Sequence, residues 1–309
     1  SRSCASSRAD AAGAATGMAA SVTSADSRTP VPPRGYARGP HGLVHYHDSG
    51  GRVRPGSTCL PLVLLHQSPM SARQFDAALG PLATHRIRSI AIDTPGFGYS
   101  DPAPFVPRIE DWAGSIVAVL DHLGITRADL LGHHTGALLA TEVALQAPAR
   151  VRRLVLNGPF PASGSERRQY LAAMEAARGE SAPAIDGMHF VRSFALRIAM
   201  HGPGPADPEL ITRYVVQKYQ GLAPHWHGHN AAFHYDHAAA MARLTHRTLI
   251  LTNTGDDIHE FAKRAAALRP DFEYQEMQGG THDIVDQRPD EWAAIVAAFL
   301  EEGTADSRP

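Results

Sequence analysis

From residue 42 onward the chain alternates two kinds of apolar pattern. Short continuous apolar runs, such as LPLVLLH at 60–66, have the length and branching of strands buried on both faces. Between them lie longer stretches with helical spacing. IEDWAGSIVAVLDHLGI at 109–125 places Trp112, Ile116, Val119, Leu120 and Leu123 on one stripe. The same reading predicts strands at 42–50, 86–93, 127–133, 151–160, 247–253 and 271–278. The first of these alternates and ends in a turn, as an antiparallel strand does. Helices are predicted at 71–83, with a Ser cap, and at 135–148, 259–268 and 289–302. Strands alternating with helices imply a mostly parallel sheet covered on both faces, an α/β fold.

The alternation is interrupted at 162–240, a helix-rich stretch with no clear strand and too long for a loop. It reads as a helical cap inserted between two strands. The expected organisation is a disordered extension at 1–33, an α/β core at 34–161 and 241–302, the cap at 162–240 and a disordered tail at 303–309. Residues 1–17 precede Met18 and read as an upstream extension without the apolar core of a signal peptide.

Composition narrows the function. The 309 residues carry a net charge of −2, so no field points toward nucleic acid or an anionic membrane. No apolar run is long enough to span a bilayer. Cys4 and Cys59 read as unpaired, which argues against a disulfide framework. A cytoplasmic protein acting on a small molecule, as a monomer or homodimer, is the default expectation. No Gly-x-Gly-x-x-Gly follows the first strand and there is no phosphate loop, so no organic cofactor is expected.

The chemistry concentrates where strands end. LLGHHTGAL at 130–138 has the Gly-x-Nu-x-Gly spacing of a nucleophile elbow, with His134 at the centre. LLHQSPMS (64–71) resembles an oxyanion loop, DTPGFGYSDP (93–102) a strand-end turn, and TGDDI (254–258) and GGTHD (279–283) the acid and histidine loops of one family. Five motifs in order identify the chain, over roughly residues 40–302, as resembling the α/β-hydrolase fold family in its branch with a helical cap.

The resemblance implies a nucleophile, an acid and a histidine in that chain order: His134, Asp257 and His282, with Asp256 the competing acid. It implies an oxyanion hole from the N–H of Thr135 and an N–H at Gln67 or Ser68. Two departures stand out: Gln67 replaces the family's glycine, and His134 replaces the usual serine. The helix N-terminus behind the elbow, and a protonated His282, would keep His134 neutral and able to act as a nucleophile. His282 would then be the base and Asp257 would orient it.

Three readings stay open: hydrolysis or acyl transfer through His134; proton transfer by His134 and His282 in a lyase, decarboxylase or isomerase; and a ligand-binding member without turnover. A metal held by His134, His282 and Asp257 is disfavoured because a triad already engages Asp257, so no metal is expected. His133 and His66 read as structural, Asp93 and Ser100 as turn-forming, and Thr135 as one residue off the elbow apex. The stretch 225–237 is rich in histidine but lacks cysteine, and it reads as a cap segment with some histidines lining the pocket. Trp226, Phe233 and Tyr235 belong either to the pocket roof or to the cap's own core. Trp112 and Trp292 read as core. The substrate implied by the resemblance is small and largely apolar.

Overall fold

The computed structural model describes residues 32–50, 60–201 and 206–301. The expected terminal extensions, Met18 and both cysteines lie outside the described residues, apart from residues 32 and 33.

Eight strands form one sheet: β1 (Arg34–Gly39), β2 (Gly42–Asp48), β3 (Leu62–Leu65), β4 (Ser89–Ile92), β5 (Ala128–His133), β6 (Val151–Asn157), β7 (Arg247–Asn253) and β8 (Glu273–Met277). Their spatial order is β1-β2-β4-β3-β5-β6-β7-β8. β1 and β2 pair antiparallel, and β2 pairs antiparallel with β4. All remaining pairs are parallel, as the continuous apolar runs require.

β1 was not legible in the pattern. Its sequence RGYARG offers no apolar alternation, and it sits at the sheet edge with most side chains outside the core. The turn at Gly39–Gly42 and the ladder to β2 make it a strand.

Helices α1 (Asp76–Thr84), α2 (Ile109–His122) and α3 (Thr135–Gln146) follow β3, β4 and β5 in turn, as the crossover rule expects. The predicted helix at 71–83 begins as a 3₁₀ turn capped by Ser71 before α1. After β6 come α4 (Gly164–Ala177), α5 (Met188–Met200), α6 (Pro208–Gln220), α7 (His227–His234) and α8 (His237–Met241), before the chain returns to the sheet at β7. α9 (His259–Leu268), α10 (Ile284–Gln287) and α11 (Pro289–Glu301) complete the chain. Among the described residues no helix is long and apolar enough to cross a membrane.

Side chains alternate across the sheet into two cores. Val63, Leu65, Leu130, Leu154 and Ile250 meet α2, α3 and α9, with Trp112 fully buried among them. Leu62, Leu64, Leu131, Val155 and Leu249 meet α1, α10 and α11, with Trp292 fully buried. Both tryptophans are core residues, as their helical stripes indicate. The carboxyl ends of β3, β5, β6 and β7 therefore open on one edge of a rigid sheet, beneath the helices that interrupt it.

Candidate active site

The elbow is built by close packing. β5 ends at His133, His134 takes φ 49° and ψ −113°, and α3 begins at Thr135. A positive φ at a residue that is not glycine is uncommon and costly, and it turns the side chain out above the sheet. The His134 N–H donates to the Asn157 carbonyl at 2.8 Å, which fixes the apex. The flanking glycines are obligatory: a Cβ on Gly132 would lie 1.9 Å from the Gly136 carbonyl oxygen, and one on Gly136 would lie 2.0 Å from that of Leu65.

His134 lies in the wall of a cavity of about 360 Å³, lined by the sheet edge and the interrupting helices. Gln67, Ser68, Thr135, Asp257 and His282 line the same cavity, so the elements bring every expected site residue to one place. The hydrogen bonds among them differ from the expected ones. His134 Nε2 donates to Asp256 Oδ2 at 2.9 Å, so Asp256 rather than Asp257 is the bonded acid. The turn after β7 decides this. Asp256 N–H bonds the Asn253 carbonyl at 3.1 Å, and Asp256 Oδ1 accepts from Ile258 N–H at 3.0 Å. Those bonds aim the Asp256 carboxylate inward at the elbow, and Asp257, the next residue, faces the cavity instead.

His282 is engaged elsewhere as well. Its Nε2 accepts from Arg197 Nη1 at 2.7 Å, and Arg197 Nη2 bonds both oxygens of Asp283 at 2.6 and 2.5 Å. Arg197 sits on α5 and its guanidinium stacks over Tyr214 of α6 at 4.1 Å. Tyr214 in turn donates to Asp286. A guanidinium only donates, so His282 Nε2 is an acceptor and its hydrogen is on Nδ1. Among the described residues, Asp257 makes no hydrogen bond to His282.

Charge follows this wiring. Burial pulls the His134 pKa down, but Asp256, Asp257 and Asp283 outweigh it and raise the value. These carboxylates thus act against the helix N-terminus, which was expected to favour the neutral ring. Burial pushes Asp256 up, yet the neighbouring His134 and its hydrogen bond hold it below the usual carboxylate range. Asp257 is raised by burial, with Asp256 adding to the effect. Burial lowers His282, and Arg197 and His134 push the same way against Asp283.

The oxyanion loop also differs. Gln67 N–H donates to Gln74 Oε1 at 2.9 Å, so that amide is spent within the protein. The Gln74 carboxamide nitrogen bonds His133 Nδ1, clipping the loop to the elbow from below. Thr135 N–H lies in the first turn of α3, where backbone donors have no intrahelical partner. The Ser68 side chain packs against Gly228 of α7, where a Cβ would come within 2.0 Å of its hydroxyl.

Other histidines resolve simply. His66 Nδ1 donates to the Gln67 carbonyl and its Nε2 accepts from Thr94 N–H, each at 2.9 Å, a structural role. His237 bridges Phe160 N–H and Thr141, and burial drives its pKa down to about 3. His225 and His229 line the cavity with Trp226 and Phe233, while Tyr235 instead donates to the buried Glu142. Burial drives the His229 pKa down to about 4, so it is neutral.

Among the described residues, the side chains placed to hold an ion are His133, His134 and Asp256, with one donor atom each within 4.8 Å of the others. His133 Nδ1 accepts from Gln74, so its fully buried Nε2 carries the hydrogen and has no partner. Ligation would require the opposite tautomer. The trio is thus wired as a hydrogen-bonded network. The set His134, His282 and Asp257 is not brought together in this way.

Gln74 and Arg197 were not singled out in the sequence. Each acts across the tertiary structure, and neither sits in a local motif that would mark it.

Comparison with known proteins agrees with the fold. The sequence profile of the alpha/beta hydrolase fold family matches residues 61–283. The 2-hydroxymuconate semialdehyde hydrolase of Pseudomonas sp. (strain CF600) is 39% identical over 119 residues, 37% of this chain and 39% of that protein. The dihydrolipoyllysine-residue acetyltransferase component of the acetoin cleaving system of Pseudomonas putida is 31% identical over 175 residues, 57% of this chain and 42% of that protein. The chain thus spans about two fifths of the length of these curated relatives. The enol-lactonase of Burkholderia xenovorans LB400 superposes with TM-score 0.71 at 19% identity, covering 87% of this chain and all 100% of that one. The esterase RhEst1 of Rhodococcus sp. ECU1013 gives TM-score 0.69 at 24% identity over 87% and 98% of the two chains. With its elbow, its cavity and six of the eight strands of its sheet in the matched region, the chain belongs to the alpha/beta hydrolase fold family.

Proposed function

We propose that the protein hydrolyses a small, largely apolar acyl compound, an ester or a related ketone, with His134 and Asp256 as the working pair. The observation that carries this is the 2.9 Å hydrogen bond between Nε2 of His134, in the cavity wall, and the ionised Asp256 buried behind it. A carboxylate on Nε2 fixes the tautomer and leaves the Nδ1 lone pair free. The Cδ2–Nε2 edge of the ring lies against Gly158 and Asp256, so the Nδ1 edge is the one a substrate would meet.

In this reading Nδ1 takes a proton from a water molecule as its oxygen adds to the acyl carbon. Asp256 stabilises the imidazolium that forms. The developing oxyanion meets Thr135 N–H at the positive end of α3, and the Gln67 carboxamide serves as second donor in place of its occupied backbone N–H. Collapse breaks the bond to the leaving group, which takes the proton back from Nδ1. His282 is left out, because its Nε2 lone pair is held by Arg197.

The relatives named above include a hydrolase of a semialdehyde, and the similar folds include an esterase and a lactonase. These support acyl compounds as the substrate class. The aromatic wall of Phe160, Tyr170 and Phe233 supports an apolar or aromatic group on one side of the scissile bond.

A second reading has direct attack by Nδ1 to give an acyl-imidazole, favoured by the position of His134 at the elbow apex, where the family places its nucleophile.

The test is a panel of short-chain and aryl esters and vinylogous oxo-acids, run on the native protein, His134→Ala and His134→Ser. Turnover by the native protein and its loss in His134→Ala is the expected result. A native protein inactive on the whole panel, with activity appearing only in His134→Ser, overturns hydrolysis and moves lyase or binding functions ahead. An acyl adduct on His134, found by mass spectrometry after acid quench, selects the covalent reading.

A further inference from the structure

The cavity is not uniform in charge. Arg178, Arg197 and Lys218 line it, and Asp257 is the one carboxylate in its wall among the described residues. The acids that pair with the two arginines, Glu175 and Asp283, lie outside the lining. A pocket with low-dielectric walls and an excess of one sign focuses that field on its ligand.

Two helices bring the polar groups to this cavity. α6 contributes Tyr214, Val215 and Lys218, and α7 contributes His229, Ala232 and Phe233, each set at the three- and four-residue spacing of one helix face. Lys218 Nζ donates to Ser193 Oγ at 2.9 Å. Ser193 is buried and lies 2.8 Å from Tyr219 Oη, which donates to the His189 carbonyl at 3.1 Å. The tyrosine hydrogen is thereby spent, so Ser193 gives its own to Tyr219 and receives from the ammonium. That chain fixes where the ammonium sits. Burial pulls the Lys218 pKa down, because the charge stands in a mostly apolar wall. His229 stacks on Phe233 at 5.8 Å. Among the described residues neither of its ring nitrogens has a hydrogen-bond partner. Its neutral ring offers one N–H, and the charges of His134 and Lys218 both reach it.

We propose that Lys218 and His229 form a carboxylate-binding subsite, which seats an acidic group of the substrate in the same cavity as His134. The ammonium and the imidazole N–H supply one donor to each carboxylate oxygen. One positive charge beside one neutral donor suits a singly charged planar anion better than a phosphate dianion. The bound anion offsets the cost of burying the ammonium. With the aromatic wall of Phe160, Tyr170 and Phe233, the subsite selects an acid with an apolar body. As a statement about the substrate this rests on the hydrolytic reading, but the subsite is tested by binding alone.

The test is isothermal titration calorimetry of the full chain with 3-phenylpropionate and with its amide, which has the same shape and no charge. The native protein should bind the acid about tenfold or more tighter than the amide, the difference that a charge-assisted hydrogen bond makes. Lys218→Met should erase that preference. Lys218→Gln, which can still donate to Ser193, should do the same, so that the loss is of charge and not of packing. His229→Phe, which keeps the stack on Phe233, should reduce the preference. Equal binding of acid and amide overturns the proposal, and so does the absence of binding by both at millimolar concentration. A preference that survives Lys218→Gln overturns it too, because the acid then sits elsewhere in the cavity. A preference unchanged in His229→Phe overturns the two-donor subsite. A protein that prefers the acid but turns over no ester keeps the subsite and refutes only hydrolysis.

Discussion

His134 holds φ 49°, its N–H is tied to Asn157, and its ring is tied to Asp256. Those three constraints leave one edge of one imidazole for chemistry. Because Asp256 raises the His134 pKa, a reaction that needs its free lone pair should rise with pH through a midpoint above about 6.5, the ordinary histidine value. Asp256→Asn removes the leading upward influence and leaves burial opposed only by Asp257 and Asp283. The midpoint should fall below that of the native protein, and kcat should drop by about 10²–10⁴ as the tautomer is lost. Rate profiles of both proteins against pH check this, and a larger loss in Asp257→Asn would refute the pairing. Gly158 gives a second check. It has φ +67°, and a Cβ there would lie 2.5 Å from His134 Cδ2. Gly158→Ala should cost about 1–2 kcal/mol for the left-handed backbone and displace the ring. Denaturant unfolding would report the first effect, and a kcat loss beyond it the second.

The elements decide which residues meet. The motif order placed His134, His282 and an acid at the ends of β5, β8 and β7, and the structure brings them to one cavity. Their wiring belongs to the helices between β6 and β7. Arg197 on α5 reaches down to His282 and Asp283 and joins those helices to the sheet edge. Arg197→Met should leave Asp283, only 5% exposed, without its charge partner and cost about 3 kcal/mol. It should also raise the His282 pKa, because Arg197 is one of the charges holding it down. NMR titration of the His282 ring measures that shift, and an unmoved value would show that Arg197 does not set its state. A helix stripe could be read for α2 and α11, yet no periodicity could show that one arginine of α5 points inward. Its spacing is compatible with either face, and only the packing of α5 on α6 chooses.

At the scale of the whole molecule, the two cores hold the elbow from both sides of the sheet. Trp292, in the core beneath α11, donates from Nε1 to Asn157 Oδ1 at 2.7 Å, and the Asn157 carbonyl receives the elbow N–H. Trp292→Phe should leave that buried oxygen unpaired and cost about 1–3 kcal/mol, with a fall in kcat if the elbow shifts. Thermal unfolding and steady-state rates measured together separate the two effects. An unchanged stability would mean that another donor replaces the indole.

The sequence alone determined the class of fold, the order of its sheet-forming segments and the place of the elbow, because these rest on local periodicity and on glycines that the backbone itself requires. LPLVLLH is too short and too continuously apolar for an amphipathic helix and reads as a buried strand, and Gly132 and Gly136 leave room that no other residue would. β1 escaped because a strand at a sheet edge needs no apolar pattern. Asp256 against Asp257, the loss of the Gln67 N–H to Gln74 and the capture of His282 by Arg197 were decided only by the tertiary structure. Each depends on where a side chain points across more than one element, and hydrogen-bond partners distant in sequence leave no trace in local spacing.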